Sequence, residues 1–178
     1  MGAGLGGGSS DAAFMLKLIN DVCELNISNK QLMIYASLIG SDCPFFIENK
    51  PMIATSRGEV LNNIEIDLSN YHIAIIMPPI SVSTRDAYSW IIPATPSINL
   101  STTIQSPIAN WKGTLINDFE NVVCKHHPII ANIKQQLFDN GAIYSSMSGS
   151  GAAVYGIFKS YPELSELDKQ FIIFKSEL

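Results

Sequence analysis

The sequence predicts an α+β fold, and three observations lead to it. Two segments near the amino terminus, 12–25 and 29–39, repeat apolar residues at helical spacing. The run 71–77 is almost wholly apolar, stops at Pro78-Pro79 and reads as a buried strand. Two further strand-like runs, 143–147 and 153–158, stand on either side of a tight Ser148-Gly149-Ser150-Gly151 turn. The chain has 178 residues, 47% of them hydrophobic and 15% charged, which is enough apolar material for a sizeable core.

Taken in order, the elements carry local signals. The first ten residues hold five glycines, and a helix follows at once. Ser9 and Ser10 are good N-cap types, and Asp11 falls in the expected first turn, where negative charge is favoured. Met15, Leu18, Ile19, Val22 and Leu25 share a helical face that Phe14 and Leu16 widen, so this helix is expected to be well buried. Ser28-Asn29-Lys30-Gln31 matches a capping box and opens a second helix. Leu32, Tyr35, Ala36 and Ile39 give that helix one apolar face, and Gly40 is its stop. In Gly40-Ser41-Asp42-Cys43-Pro44-Phe45-Phe46, Pro44 forbids simple continuation of the helix. The region 52–68 reads as strand pieces around turns at Arg57-Gly58 and Asn62-Asn63.

Beyond the strand at 71–77, Ser83 or Thr84 caps a short helix that reaches Trp90. The stretch 91–110, rich in Pro, Ser, Thr and Asn, reads as loop. Helices are expected at 114–124 and 128–138, the second ended by Asn140-Gly141. After the two strands that flank the glycine turn come a short helix at 162–168 and a strand at 171–174.

Composition excludes several function classes. The net charge is −5 and there is no basic patch, so neither nucleic acid nor anionic membrane is an expected partner. Apolar runs are short and interrupted, so no segment is expected to span a bilayer. The glycine-rich start has neither the charged nor the apolar region of a signal peptide. Cys23, Cys43 and Cys124 are odd in number and fit no zinc spacing; free thiols and a reducing, cytoplasmic location are the expectation.

Five glycines before a helix suit an anion. Glycine lets the backbone approach a ligand closely. Successive N–H groups at a helix start, with the helix dipole behind them, attract phosphate. The competing reading is a flexible tail, although a tail would not usually run straight into a helix. Two common phosphate loops are excluded. No Lys-Ser or Lys-Thr follows the glycines, and no strand precedes them.

Five segments together carry a family resemblance. Gly-Leu-Gly-Gly-Gly-Ser-Ser-Asp-Ala-Ala at 4–13 resembles the second motif of the GHMP kinase superfamily, in its triple-glycine form. The segment from Gly40 to Phe46 resembles the catalytic-aspartate segment of that family. Ser81-Val82-Ser83-Thr84 with Ala87-Tyr88, Asn117-Asp118-Phe119-Glu120, and Ser148-Gly149-Ser150-Gly151-Ala152-Ala153 resemble three later elements, the last being the third motif. All five stand in the family's order and cover nearly the whole chain.

The resemblance implies a GHMP kinase fold. Residues 1–66 would be a remnant of an ATP-binding N-terminal domain related to ribosomal protein S5, and 67–178 a ferredoxin-like C-terminal domain. It implies ATP with Mg²⁺ and a small-molecule alcohol as substrate, the nearest branch acting on the 2-hydroxyl of a cytidine diphosphate-linked methylerythritol in the non-mevalonate route to isoprenoids. By the same resemblance Met1, Gly2, Ala3, Gly4, Leu5, Gly6, Gly7, Gly8, Ser9 and Ser10 bind ATP. Thr84, Gly149 and Ser150 bind substrate, and Asp42 is the catalytic base.

Each assignment has a plainer counterpart. An Asp after a helix-ending glycine is, taken alone, a turn or cap residue; a kinase acting on an alcohol needs a carboxylate that accepts the hydroxyl proton. Ser9 and Ser10 serve as caps, as phosphate donors or as Mg²⁺ contacts, and the metal's ligands stay unassigned. The Gly149–Gly151 turn is either a simple hairpin or lies beside the phosphates or the substrate. Asp11 reads as a helix-end residue, His126-His127 as surface, and Asp118 and Glu120 as structural polar groups.

The family's opening lysine-bearing segment and its Gly-Tyr-His-like segment are absent. The chain is therefore expected to be an N-terminally truncated fragment without measurable activity of its own. Helix faces at 12–39 left bare in this way would favour self-association. Two alternatives stay open. One is another GHMP kinase acting on homoserine, mevalonate or a sugar, against which the triple glycine and Ser-Asp-Cys-Pro-Phe-Phe argue. The other is an inactive remnant that only binds nucleotide.

Overall fold

The computed structural model describes residues 3–94 and 98–178, the side chain of Asp168 excepted. The chain forms two compact units. One runs over Gly6–Ile66, and the other over Asp67–Leu178 together with residues 3–5.

Three helices and a hairpin make the first unit: α1 (Gly7–Val22), α2 (Asn29–Ile39), α3 (Cys43–Glu48), β1 (Met52–Thr55) and β2 (Val60–Asn63). Ser28 caps α2 by accepting from Gln31 N at 3.3 Å, as the capping-box pattern requires. Gly40 ends that helix in extended backbone rather than in a left-handed turn. Asn20 closes the α1–α2 connection. Its Oδ1 accepts from Ile27 N at 2.9 Å and its Nδ2 donates to Ile27 O at 3.1 Å. Ala13, Leu32, Ala36, Cys43 and Ile47 form a small core between the helices.

Several expectations need correction here. Helix α1 is not well buried: Ala13 is its one buried residue among those described, and Val22 is 73% exposed. The three helices meet along a narrow contact at Ala13, Leu32, Ala36, Cys43 and Ile47, and the rest of the broad apolar faces of α1 and α2 remains uncovered. The start of α1 is capped by Gly6, not by Ser9 or Ser10, and Asp11 falls beyond the first turn. Pro44 does not merely stop a helix; it sits in the first turn of α3, where its missing N–H costs nothing. Asn62-Asn63 is no turn but the end of β2, paired with Ile53 and Met52.

The second unit runs β3 (His72–Met77), α4 (Thr84–Trp90), α5 (Leu100–Ile104), α6 (Glu120–His126), α7 (Pro128–Asp139), β4 (Tyr144–Met147), β5 (Val154–Phe158), α8 (Ser165–Asp168) and β6 (Ile172–Glu177). Its sheet has the order β4-β5-β3-β6 with every pairing antiparallel. That is the ferredoxin-like order. Ala74, Ile76, Met147, Val154 and Phe158 line one face of the sheet. Against them pack Ile130, Ile133 and Leu137, spaced by three and four along α7, with Val123 from α6.

The expected loop at 91–110 holds two short helical turns, and its residues 95–97 lie outside the described set. Asn99 caps α5 by accepting from Ser101 N and Thr102 N. Residues Ile108–Asn110 form a 3-10 turn that leads to buried Trp111. The helix expected from 114 begins only at Glu120, because Asn117 Oδ1 accepts from Phe119 N at 3.0 Å and bends the chain into a turn first. Of the pair expected at the surface, His126 is exposed and His127 is half-buried, and the His126 ring stacks on Trp90 at 3.9 Å. The three cysteines are free, and burial pushes the Cys124 thiol above its ordinary value. Among the described residues no helix is long and apolar enough to cross a membrane.

A contrast between two apolar truncations tests this core. Leu137→Ala is expected to destabilise the second unit by about 2–5 kcal/mol, whereas Ile92→Ala, at an 89% exposed site, stays within about 0.5 kcal/mol. Denaturant unfolding followed by Trp90 and Trp111 fluorescence measures both; equal shifts would contradict the packing described.

Candidate functional site

Two backbone segments meet in the second unit. Ala3 O accepts from Ala153 N at 3.0 Å, and Gly4 O accepts from Ser148 Oγ at 2.7 Å. The approach is so close that Gly4 tolerates no side chain. Its φ is +73°, and a Cβ there would stand 2.0 Å from Ser148 O. Gly149 faces it with φ +54°, and a Cβ on Gly149 would lie 3.0 Å from Gly4 O. The turn closes on itself through Ser148 N to Ala153 O at 2.8 Å and Gly151 N to Ser148 O at 3.0 Å. Thr84, the first residue of α4, places its Oγ1 3.1 Å from Ser150 Oγ. Ala3, Gly4, Thr84, Gly149 and Ser150 are thus brought together; Met1 and Gly2 lie outside the described residues.

The turn is held from outside by Asn117, to which the sequence reading gives no separate role, and by Glu120, which it reads as a structural polar group. Asn117 Nδ2 donates to Met147 O and to Gly149 O, each at 2.8 Å. The buried Glu120 carboxylate accepts from Met147 N at 2.9 Å and from Ser146 Oγ at 3.2 Å, and it pairs with Lys134. Nearby, burial pushes the Tyr144 and Tyr155 hydroxyls up, with Glu120 adding to the effect. The sequence predicts helix from 114; an Asn shortly before a helix start is the local signal that could have revealed the turn at 117.

Gly6–Ser10 and Asp42 belong to the first unit. Gly6 has φ +67°, and a Cβ there would press within 2.8 Å of Phe46 Cζ on α3. Gly7 and Gly8 differ: both are exposed, and a Cβ on either would meet no described atom within 4 Å. The first helical hydrogen bond of α1 runs from Ser10 N to Gly6 O at 2.9 Å. The N–H groups of Gly7, Gly8 and Ser9 precede that bond and lack an intrahelical acceptor. Asp42 is exposed at the N-cap position of α3, where its side chain makes no capping bond. Its Oδ1 accepts from Ser41 Oγ at 3.4 Å, and the turn of the hairpin approaches it at Gly58. Among the described residues no three His, Cys, Asp or Glu side chains cluster as a metal site.

The glycines therefore have distinct duties, which substitution separates. Gly4→Ala is expected to release residues 3–5 from the turn and speed amide exchange at Ala153, because the clash is with backbone and φ is positive. Gly7→Ala, with open space and a helical position, leaves Ala153 unchanged and stabilises α1 by up to about 1 kcal/mol. Unchanged exchange in Gly4→Ala would rule out the contact.

Comparison with known proteins matches two family models in succession. GHMP kinases N terminal domain matches residues 1–50, and GHMP kinases C terminal matches residues 107–171, together more than half of the chain. The 4-diphosphocytidyl-2-C-methyl-D-erythritol kinase of Parabacteroides distasonis is 47% identical over 165 residues, which are 93% of this chain and 61% of the relative. The protein of the same name from Bacteroides thetaiotaomicron is 50% identical over 167 residues, covering 94% and 61%. The chain thus spans about three-fifths of the length of these curated relatives. A crystal structure of a 4-(cytidine 5'-diphospho)-2C-methyl-D-erythritol kinase superposes with a TM-score of 0.79 at 23% identity, over 98% of this chain and 66% of that one. A homoserine kinase from Cytophaga hutchinsonii superposes at 0.65 with 19% identity, over 99% and 66%. At such identities the two structures speak for the fold alone. With both domain models in order and relatives near half identical over almost all of its length, the chain belongs to the GHMP kinases.

Proposed function

We propose that, in a chain of the relatives' full length, the protein is an ATP-dependent kinase that phosphorylates the 2-hydroxyl of 4-diphosphocytidyl-2-C-methyl-D-erythritol, a step of the non-mevalonate route to isoprenoid precursors. The substrate follows from the relatives, which carry that name at 43–50% identity. The observation that supports the kinase chemistry in this chain is the start of α1. Gly4 and Gly6 are fixed by contacts within the protein, whereas Gly7 and Gly8 leave open space over N–H groups that have no helical partner. Such a surface accepts phosphate oxygens, and the helix dipole favours their charge.

The roles divide as follows. Backbone in the segment 1–10 binds the ATP phosphates. Asp42 accepts the proton of the attacking hydroxyl, a task that suits an exposed carboxylate not engaged in capping. Thr84, Gly149 and Ser150 contact substrate from the second unit. Mg²⁺ accompanies ATP and neutralises charge on the phosphates. The ion typically needs only one or two protein oxygens, so the lack of a three-residue cluster among the described residues does not conflict with it, and the hydroxyls of Ser9 and Ser10 are available donors. A second copy of the chain is the occupant we assign to the bare faces of α1 and α2, since Leu18, Val22, Leu38 and Ile39 are each more than half exposed.

Measurements can separate these claims. In a chain of the relatives' full length, Asp42→Asn is expected to lower turnover of the cytidine substrate by about 10²–10⁴-fold while ATP affinity changes far less. Turnover near that of the unaltered protein would remove Asp42 from the mechanism. Gly7→Val is expected to weaken ATP binding in calorimetry much more than substrate binding, although no described atom opposes the new side chain. For self-association, light scattering should report a mass above the 19.4 kDa of one chain; a clean monomer would contradict it.

A further inference from the structure

Strand β4 lies at one edge of the second unit's sheet, and Met147 is its last residue. Ser148 N already bonds to Ala153 O, so the neighbouring N–H and C=O of Met147 point away from β5, where no strand follows among the described residues. Side chains stand in for the absent strand. Glu120 Oε2 takes the Met147 N–H at 2.9 Å, and Asn117 Nδ2 gives a hydrogen bond to Met147 O at 2.8 Å. The orientation of the Asn117 amide is determined by its partners. Its Oδ1 is committed to Phe119 N at 3.0 Å, which leaves both hydrogens of its NH₂ for Met147 O and Gly149 O. Lys134 and Ser146 hold the Glu120 carboxylate in place. The turn so fixed is the one that grips the glycine segment, through Ser148 Oγ to Gly4 O and Ala153 N to Ala3 O.

We propose that Asn117 and Glu120 are positioning residues for the glycine segment: acting through the 148–153 turn, they set where Ala3 and Gly4 are held and thereby the affinity of that segment for a nucleoside triphosphate. The clause on affinity rests on the kinase reading above. Neither residue touches the triphosphate; each acts on backbone that in turn acts on backbone.

Three substitutions in the 178-residue chain test this. Asn117→Asp keeps the shape but sets an oxygen against two carbonyl oxygens. It is expected to speed hydrogen exchange of the Ala153 amide by about tenfold or more, with the amides of α7 unaffected. Glu120→Ala should do the same, whereas Glu120→Gln retains an oxygen for the Met147 N–H and should stay within about threefold of the unaltered chain. Unchanged exchange at Ala153 in Asn117→Asp would overturn the proposal, as would equal acceleration throughout α7, which marks general loss of stability. Titration with Mg·ATP in a calorimeter is expected to show about tenfold weaker binding by Asn117→Asp; equal affinities would also overturn it. Failure of the unaltered chain to bind ATP would count against the kinase reading alone, and exchange at Ala153 would then decide the positioning role.

Discussion

The sheet of the second unit runs out of strands at β4, yet the N–H and C=O of Met147 must still be satisfied. Asn117 and Glu120 do this with side chains, and much of the unit is arranged around that substitution. Helix α6 begins at Glu120, so its first turn is fixed by the same residue that holds the strand. Helix α7 contributes Lys134 to the carboxylate while burying Ile130, Ile133 and Leu137 on the sheet. A buried carboxylate is unfavourable unless its oxygens are occupied, and here three donors occupy them. The polar network also occupies the Met147 end of an edge whose backbone groups could otherwise pair with another chain.

From that anchored edge the glycine turn projects, and it meets a second glycine-bearing segment backbone to backbone. Contact at this distance works only without side chains, which is why Gly4 and Gly149 face each other. The glycines in the first ten residues are consequently not one motif with one purpose. Gly4 and Gly6 admit close approach by parts of the protein itself, at Ser148 and Phe46 respectively, while Gly7 and Gly8 keep a surface clear.

Much of this was legible in the sequence where the cause is local. The strand at 71–77, helix α7 with its Asn140-Gly141 stop, the Ser28 cap and the Arg57-Gly58 turn all follow from neighbours within a few residues. The reading failed where the cause is distant or where two local rules compete. Periodicity identified the apolar face of α1 but says nothing about what lies against it, so the helix was expected to be buried when its face is bare. Thr114 to Phe119 has helix-compatible residues, yet the side chain of Asn117 competes for the backbone and wins. Asn62-Asn63 has turn composition, but pairing with Ile53 and Met52 draws it into β2. As for the candidate site, the glycine motif and the Ser148–Gly151 turn could be picked out separately. Their mutual contact could not, since nothing in either segment encodes the other.

The bond between Ser148 and Gly4 joins residues 144 positions apart in the chain. A ribosome adds about 5–20 residues each second, so the glycine segment waits roughly 7–30 s after its own synthesis before its partner exists. Strand β3 likewise waits for β5 and β6, which follow it by more than half the length of the second unit. During that interval the glycine-rich segment has no partner, and it leads into two helices, α1 and α2, with bare apolar faces. What the residues from 144 onward bring to an end is the wait of Gly4 and of β3 for their partners, whereas the faces of α1 and α2 stay bare after the sheet is complete.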